Sequence, residues 1–318
     1  SRFNRIHHNQ KYLARCLMTD AYQQIKSTLK GVMTALVTPM KPDGSVDYDT
    51  LAQLIDWQID EGVNALVAVG TTGEAATLAI DEHIDVIRFF VKQVAGRIPV
   101  IAGTGANSTR EAIDLTMAAK AAGADFALLV VPYYNKPTQE GMYQHFKAVA
   151  TAVDIPQIVY NVPGRTVVDM CEDTVSRLAD IDNIVAIKDA TGNLERGISL
   201  IRRVGERMVV LSGDDPTALE LIKYGSKGDI SVTSNIAPKA MSQAFGLALE
   251  GHFEEAYQIH DTIVHLHRDL FIESSPQPVK YALHKMGKIG TGIRLPMVWL
   301  AEHYHETIDN SLKKAGLI

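Results

Sequence analysis

The residues best suited to chemistry lie in the stretch Ile-Val-Ala-Ile-Lys-Asp-Ala-Thr-Gly-Asn, from Ile184 to Asn193. Its four apolar, mostly β-branched residues suit a strand buried on both faces. The run ends in one long amine, Lys188, before a polar turn at Gly192. A lysine closing a buried strand either snorkels to solvent or is held there for reaction. Burial disfavours the charged ammonium, which makes the amine available to attack a carbonyl. Attack on a ketone gives a carbinolamine and then an iminium, an electron sink for an adjacent carbanion. These steps move several protons, and a phenol within reach can relay them. Tyr160, closing the preceding apolar run, is placed to do so. The turn Gly70-Thr71-Thr72-Gly73-Glu74 offers N–H groups and hydroxyls to a carboxylate. Arg165, in Tyr160-Asn-Val-Pro-Gly-Arg165-Thr166, can hold a second carboxylate bidentately.

Each of these residues also has a plainer reading. Tyr133 suits a core position with a satisfied hydroxyl, Arg165 a surface ion pair, and the glycines of Gly70–Gly73 a tight turn. No Gly-Lys-Ser/Thr follows those glycines, so they do not form a phosphate-cradling loop. His265/His267 and His303/His305 are two apart and cannot share a helix face, so no metal site is expected. His83 and His145 lie near helix starts and read as exposed or capping residues.

The elements that must carry these groups alternate regularly. Apolar runs at 32–37, 65–69, 99–102, 126–131, 157–160, 184–188, 208–211 and 229–232 are each trailed by a helical pattern. Ser45-Val-Asp47 opens a helix whose stripe is Leu51, Leu54, Ile55 and Ile59. The next helix carries Ile84, Ile87, Phe90, Val91 and Val94, and the third runs from caps at Ser108 and Thr109 to Gly123. Eight units of roughly 30 residues give the arithmetic of a closed (β/α)8 TIM barrel, an α/β fold. An open doubly wound sheet would need a glycine fingerprint, and Gly103-Thr-Gly105-Ala-Asn-Ser lacks its third glycine. The chain divides into an N-terminal extension (1–30), the barrel (31–236) and a C-terminal helical region (237–318). Helical periodicity in the last part is expected at 245–249, 256–270, 279–286 and 297–314. Barrel sites form at the C-terminal strand ends. Thr38, Gly70–Glu74, Tyr133–Asn135, Tyr160–Thr166, Lys188 and Ser212–Asp215 should therefore meet at one mouth.

Composition excludes other classes. The chain has 318 residues, 46% of them hydrophobic and 21% charged, which is enough for a large globular core. A net charge of −6 gives no basic footprint for nucleic acid. No run of 18 apolar residues suggests a membrane span. Two cysteines without a CxxC fit a reducing, cytoplasmic setting. Residues 1–17 are basic, with no acid and no continuous apolar core. They read as extraneous upstream sequence, with Met18 a candidate start, or as an organelle-targeting peptide.

Taken together, Gly70-Thr-Thr-Gly-Glu74, Tyr160-Asn-Val-Pro-Gly-Arg165 and Ile187-Lys-Asp-Ala-Thr-Gly192 resemble the signatures of the pyruvate-dependent class I aldolase/N-acetylneuraminate lyase family. The similarity runs from about residue 31 to the C-terminus. It implies condensation of pyruvate with L-aspartate 4-semialdehyde, toward diaminopimelate and lysine. By the same resemblance Lys188 is the Schiff-base lysine and Tyr160 the proton relay. Thr71 links Tyr160 to Tyr134, which comes from the neighbouring subunit. Thr72 holds the pyruvate carboxylate and Arg165 that of the semialdehyde, while Gly213 and Ile230 line the pocket through their backbone. A homotetramer, built as a dimer of dimers, needing no cofactor or metal, is implied. Family members that cleave N-acetylneuraminate or 2-keto-3-deoxy sugar acids are expected to lack an arginine at position 165. A non-catalytic ligand-binding barrel would have no need of Lys188, Tyr160 and Arg165 together. In lysine-inhibited members an effector site maps to Ala75, Ala76, Ile80, His83, Asn107, Glu111 and Tyr133. Ala75 stands where some bacterial members carry serine, and Ile80 where histidine or tryptophan is common. Ile80 cannot donate a hydrogen bond, so only partial inhibition is expected.

Overall fold

The computed structural model describes residues 22–318, together with Ile6, Gln10 and Leu13. Most of the N-terminal stretch expected to be an extension therefore lies outside the described residues. Eight parallel strands close into a barrel in sequence order: β1 (Gly31–Ala35), β2 (Ala65–Ala68), β3 (Val100–Gly103), β4 (Phe126–Val130), β5 (Gln157–Asn161), β6 (Ile184–Asp189), β7 (Val209–Ser212) and β8 (Gly228–Ser231). Closure through β1 and β8 leaves no sheet edge and rules out the open-sheet alternative.

The inward-facing residues include Met33, Val67, Phe126, Ile158, Leu211 and Ile230, which fill the barrel with side chains rather than leaving a pore. Its lower end is closed by Leu29, with Tyr22 and Ile25 of the helical residues 22–26 (α1) packed against it. Residues just before position 31 thus belong to the barrel's packing.

Helices cover the outside: α2 (Tyr48–Asp60), α3 (Ile80–Val94), α4 (Thr109–Ala122), α5 (Gln139–Ala152), α6 (Pro163–Thr166), α7 (Glu172–Leu178), α8 (Leu194–Val204), α9 (Asp215–Ile222) and α10 (Pro238–Leu249). α4 has the expected caps, Ser108 accepting from the Glu111 N–H and Gly123 left-handed at its end. On α3 the buried stripe is His83, Val86, Ile87, Phe90 and Val94, so Ile84 and Val91 sit at its margin. His83 falls on the same i, i+3, i+4, i+7 row as the apolar residues, and this places it inside. It is buried with its ring bonded to the Gly103 carbonyl at 2.6 Å. His145 is also buried, bonded to the Thr109 hydroxyl at 2.8 Å. The expectation of exposed or capping histidines fails at both positions.

The C-terminal region continues as α11 (Phe253–Asp261), α12 (Val264–Asp269), α13 (Gln277–Lys285) and α14 (His305–Lys314). The helix expected over 297–314 is shorter than its periodicity suggests. Residues 297–301 are irregular because other elements take their backbone donors: Val298 N–H bonds Gln277 and Ala301 N–H bonds Glu273. His267 does not pair with His265; its Nε2 lies 2.8 Å from His260 Nε2, and its Nδ1 meets the Thr233 hydroxyl. Among the described residues no cluster of His, Cys, Asp or Glu has the grouping of a metal site. Nor is any helix among them long and apolar enough to cross a membrane.

The buried histidines fix an acid response. Burial holds His145 at about 4, and burial with the adjacent His267 holds His260 at about 4, against an ordinary 6.5. Both are depressed in the folded state, so their contribution is complete above 6.5 and is lost as pH falls toward 4. At 1.36 kcal/mol per unit, each contributes at most about 3 kcal/mol. Thermal melts should therefore drop already between pH 6.5 and 5, above the range where carboxylates titrate. A melting temperature flat over that interval contradicts this.

Candidate active site

Strand register sets the centre of the site. Tyr160 on β5 and Lys188 on β6 are direct partners, so both side chains face the barrel interior near its C-terminal mouth. The Lys188 Nζ stands 3.8 Å from the centroid of the Tyr160 ring. Lys188 is only 7% exposed, so it does not snorkel into bulk water. On the next strand-end Gly213 leaves it room: a Cβ there would lie 2.5 Å from Lys188 Cε. No side chain fits that position without moving the amine. Ile230 is buried two strands away on the interior face.

The Gly70–Glu74 turn forms one rim. Its backbone closes on itself through Glu74 N–H to Thr71 O and Ala75 N–H to Gly70 O. The Thr38 hydroxyl donates to the Gly73 carbonyl at 2.7 Å. Val69 and Glu74, at its two ends, are left-handed with φ of 49° and 62°. Such backbone is unfavourable for side chains with a Cβ, most of all a β-branched one, and surrounding contacts must hold it. Thr72 is buried, whereas Thr71 is exposed at the mouth. No hydrogen bond among the described residues joins Thr71 to Tyr160 or Tyr134.

Tyr134 is 86% exposed and left-handed, with φ of 77°. Its side chain is open to solvent. Tyr133 is half-exposed, so it is not the core tyrosine that its type suggests. Its loop is held by Asn107 Nδ2 on the Tyr133 carbonyl and Asn135 Nδ2 on the Asn107 carbonyl.

Arg165 sits in α6 at the rim after β5, exposed, and donates to the Ser275 carbonyl at 3.4 Å. It makes no ion pair with a described carboxylate, against the surface-pair reading. The loop carrying it is fastened at its far side. Asn161 bonds Asp169 and Met170, and Arg196 clamps Asp169 with two 3.0 Å bonds. The guanidinium thus pairs with no described carboxylate, while its support is fixed.

Glu111 lies near both the buried His83 and the exposed Tyr133, whose carbonyl Asn107 holds. The Glu111 carboxylate acts on both His83 and Tyr133. Burial first, and Glu111 second, push the Tyr133 phenol up. Ala76 and Ile80 are exposed nearby along the chain.

Two buried charge systems escaped the sequence reading. Behind β7 and β8, burial and the neighbouring Asp215 charge push the Asp229 carboxyl well above the usual carboxylate range. Asp215 in turn accepts the Val232 and Thr233 N–H groups. The second is Glu74 with Lys280, 206 positions apart and paired at 2.5 Å. An acidic Asp214-Asp215 pair was visible at a strand end. The only sign of Lys280 was one lysine inside the apolar run Pro278–Leu283.

A closed eight-stranded barrel with a buried amine and phenol at the C-terminal mouth defines the class: a TIM-barrel enzyme scaffold. The chain belongs to the dihydrodipicolinate synthetase family, whose pattern it matches over residues 28–315. It is 67% identical over 301 residues to the 4-hydroxy-tetrahydrodipicolinate synthase of Psychrobacter sp. (strain PRwf-1), covering 95% of this chain and 100% of that one. The enzyme of the same name from Pseudomonas aeruginosa is 58% identical over 290 residues, 91% of this chain and 99% of the relative. The crystal structure of chloride-inhibited dihydrodipicolinate synthase from Acinetobacter baumannii, complexed with pyruvate, superposes with a TM-score of 0.90. Its identity is 57%, over 91% of this chain and all of that one. The lysine-bound synthase of Cyanidioschyzon merolae gives 0.88 at 38% identity, over 92% and 99%.

Proposed function

We propose that this chain is a Schiff-base lyase that condenses pyruvate with L-aspartate 4-semialdehyde, in the cytoplasm, as a step of diaminopimelate and lysine synthesis. The observation that carries the reading is the Lys188 amine held 3.8 Å from the Tyr160 ring in a family whose relatives bear this activity's name.

In this mechanism Lys188 Nζ attacks the pyruvate ketone, and water leaves as the carbinolamine collapses to the imine. The Tyr160 hydroxyl accepts and returns the protons that these steps move. The N–H groups and hydroxyls of the turn at Thr71 and Thr72 hold the keto-acid carboxylate. Loss of a methyl proton gives the enamine, whose carbon attacks the semialdehyde carbonyl while Arg165 grips the second carboxylate. Gly213 and Ile230 shape the floor. The exposure of Thr71 and Tyr134 supports a second copy whose Tyr134 completes the relay across an interface, within a dimer of dimers.

Mass spectrometry after incubation with pyruvate and borohydride tests the first half. The chain should gain one pyruvate less water plus two hydrogens, on Lys188. A coupled assay with the semialdehyde tests the second half. No adduct, or turnover with a sugar-derived aldehyde in place of the semialdehyde, defeats the reading.

An effector reading rests on the Glu111, Asn107 and Tyr133 cluster and on the lysine-bound relative. Glu111 would meet the α-amino group of lysine, with Asn107 and Tyr133 donating around it. The apolar, exposed Ile80 adds no donor. Lysine titration should therefore reach a plateau of partial activity in the millimolar range, and activity unchanged there argues against the site.

A further inference from the structure

The Gly70–Glu74 turn is anchored from outside the barrel. Glu74 lies two residues after Thr72, yet its carboxylate is buried rather than offered at the mouth. Its Oε2 accepts from Lys280 Nζ at 2.5 Å and its Oε1 from the Arg294 backbone N–H at 3.2 Å. Lys280, 0% exposed on α13, gives a second bond to the Gly292 carbonyl at 2.9 Å. The same loop reaches the residues after the turn. The Arg294 guanidinium donates to the Thr77 carbonyl and clamps Glu82 at the start of α3 with bonds of 2.8 and 2.7 Å. The C-terminal region therefore touches the turn and the first residues of α3 through one network.

A buried ion pair gains little stability over an apolar pair of equal size, because both charges must be desolvated. What such a pair does supply is direction, since each group accepts only a narrow set of partner positions. Direction is what this turn needs. Its ends, Val69 and Glu74, are in left-handed backbone that other contacts must hold. A Cβ at Gly73 would lie 3.1 Å from Val69 Cα and 3.2 Å from the Leu36 carbonyl oxygen, so only glycine gives the turn room at that point. Burial lowers the Lys280 ammonium even beside its carboxylate, which fits a pair kept for geometry rather than for attraction.

We infer that Glu74 and Lys280 are positioning residues for the keto-acid subsite: the C-terminal helical region, through α13, sets where the Thr71–Thr72 backbone and hydroxyls meet the substrate carboxylate. The inference rests on the reading of that turn as the pyruvate carboxylate site.

Two variants test it. Glu74→Gln with Lys280→Met replaces the pair by neutral side chains of nearly equal length and keeps an acceptor for Arg294. Glu74→Asp keeps both charges and shortens the reach by one methylene. The KM for pyruvate, and the pyruvate concentration for half-maximal borohydride trapping, should rise about tenfold or more in each. The KM for the semialdehyde and the Arg165-dependent discrimination should stay as in the parent. A lowered melting temperature with pyruvate half-saturation unchanged would make the pair merely structural and overturn the inference. Should the neutral pair fail to fold, the aspartate variant alone decides by the same measure. A parent enzyme that traps no pyruvate overturns the functional reading instead, so the two failures are told apart.

Discussion

Replacing Lys188 by methionine should leave the protein folded while removing condensation, by about 10⁴-fold or more in kcat, along with every trace of the borohydride-dependent mass gain. Methionine approximates the length of the lysine stem and carries no charge. It enters a site that already holds the stem against Tyr160 and Gly213. Removing a 7%-exposed amine that makes no ion pair with a described carboxylate should not cost the fold. The chemistry has no substitute, because general acid–base catalysis alone does not supply an electron sink. Tyr160→Phe separates the two roles. The ring beneath the amine remains, so trapping persists, but the relay hydroxyl is gone and turnover should fall about 10²- to 10⁴-fold. Residual turnover in the methionine variant at more than a few per cent of the parent would mean that the reaction does not pass through this amine.

Much of this arrangement was readable in the chain because it is periodic. β-branched runs and apolar helical stripes gave eight units, and the ends of those runs gave the mouth. The Tyr160–Lys188 pairing follows from neighbouring strands whose register the barrel fixes. What stayed hidden were interactions that ignore local pattern. Glu74 and Lys280 are far apart in sequence, and a helical lysine ordinarily faces water, so the apolar run around Lys280 does not by itself signal a buried pair. His83 differs: it lies on the apolar stripe of α3, where periodicity rather than residue type decides burial. His260 and His267 meet across a break between α11 and α12, where helical spacing no longer predicts which faces coincide. The irregular 297–301 segment shows the same limit in the backbone. Its apolar residues look helical, but side chains of Glu273 and Gln277 capture its N–H groups.

Arg165→Ala should divide the reaction at its midpoint. Imine formation with pyruvate, read as borohydride adduct at fixed pyruvate, should match the parent, since the guanidinium lies at the rim and not in the Lys188–Tyr160 pair. The kcat/KM for L-aspartate 4-semialdehyde should fall about 30- to 10³-fold, the equivalent of about 2–4 kcal/mol for losing a charge-assisted, bidentate carboxylate contact. The structure makes this variant unusually clean. The guanidinium is exposed, makes no ion pair with a described carboxylate and gives a single long bond to the Ser275 carbonyl. Its loop is secured by Asn161, Asp169 and Arg196, not by Arg165 itself. The melting temperature should therefore stay close to the parent's. Arg165→Lys should recover only part of the loss, because an ammonium restores the charge but not the two parallel N–H bonds. An aldehyde of similar size without a carboxylate supplies the control: it should react poorly but equally with parent and alanine variant. If the semialdehyde behaves in the same way, with unchanged kcat/KM, the acceptor carboxylate binds elsewhere and the choice of a small acidic aldehyde loses its physical basis.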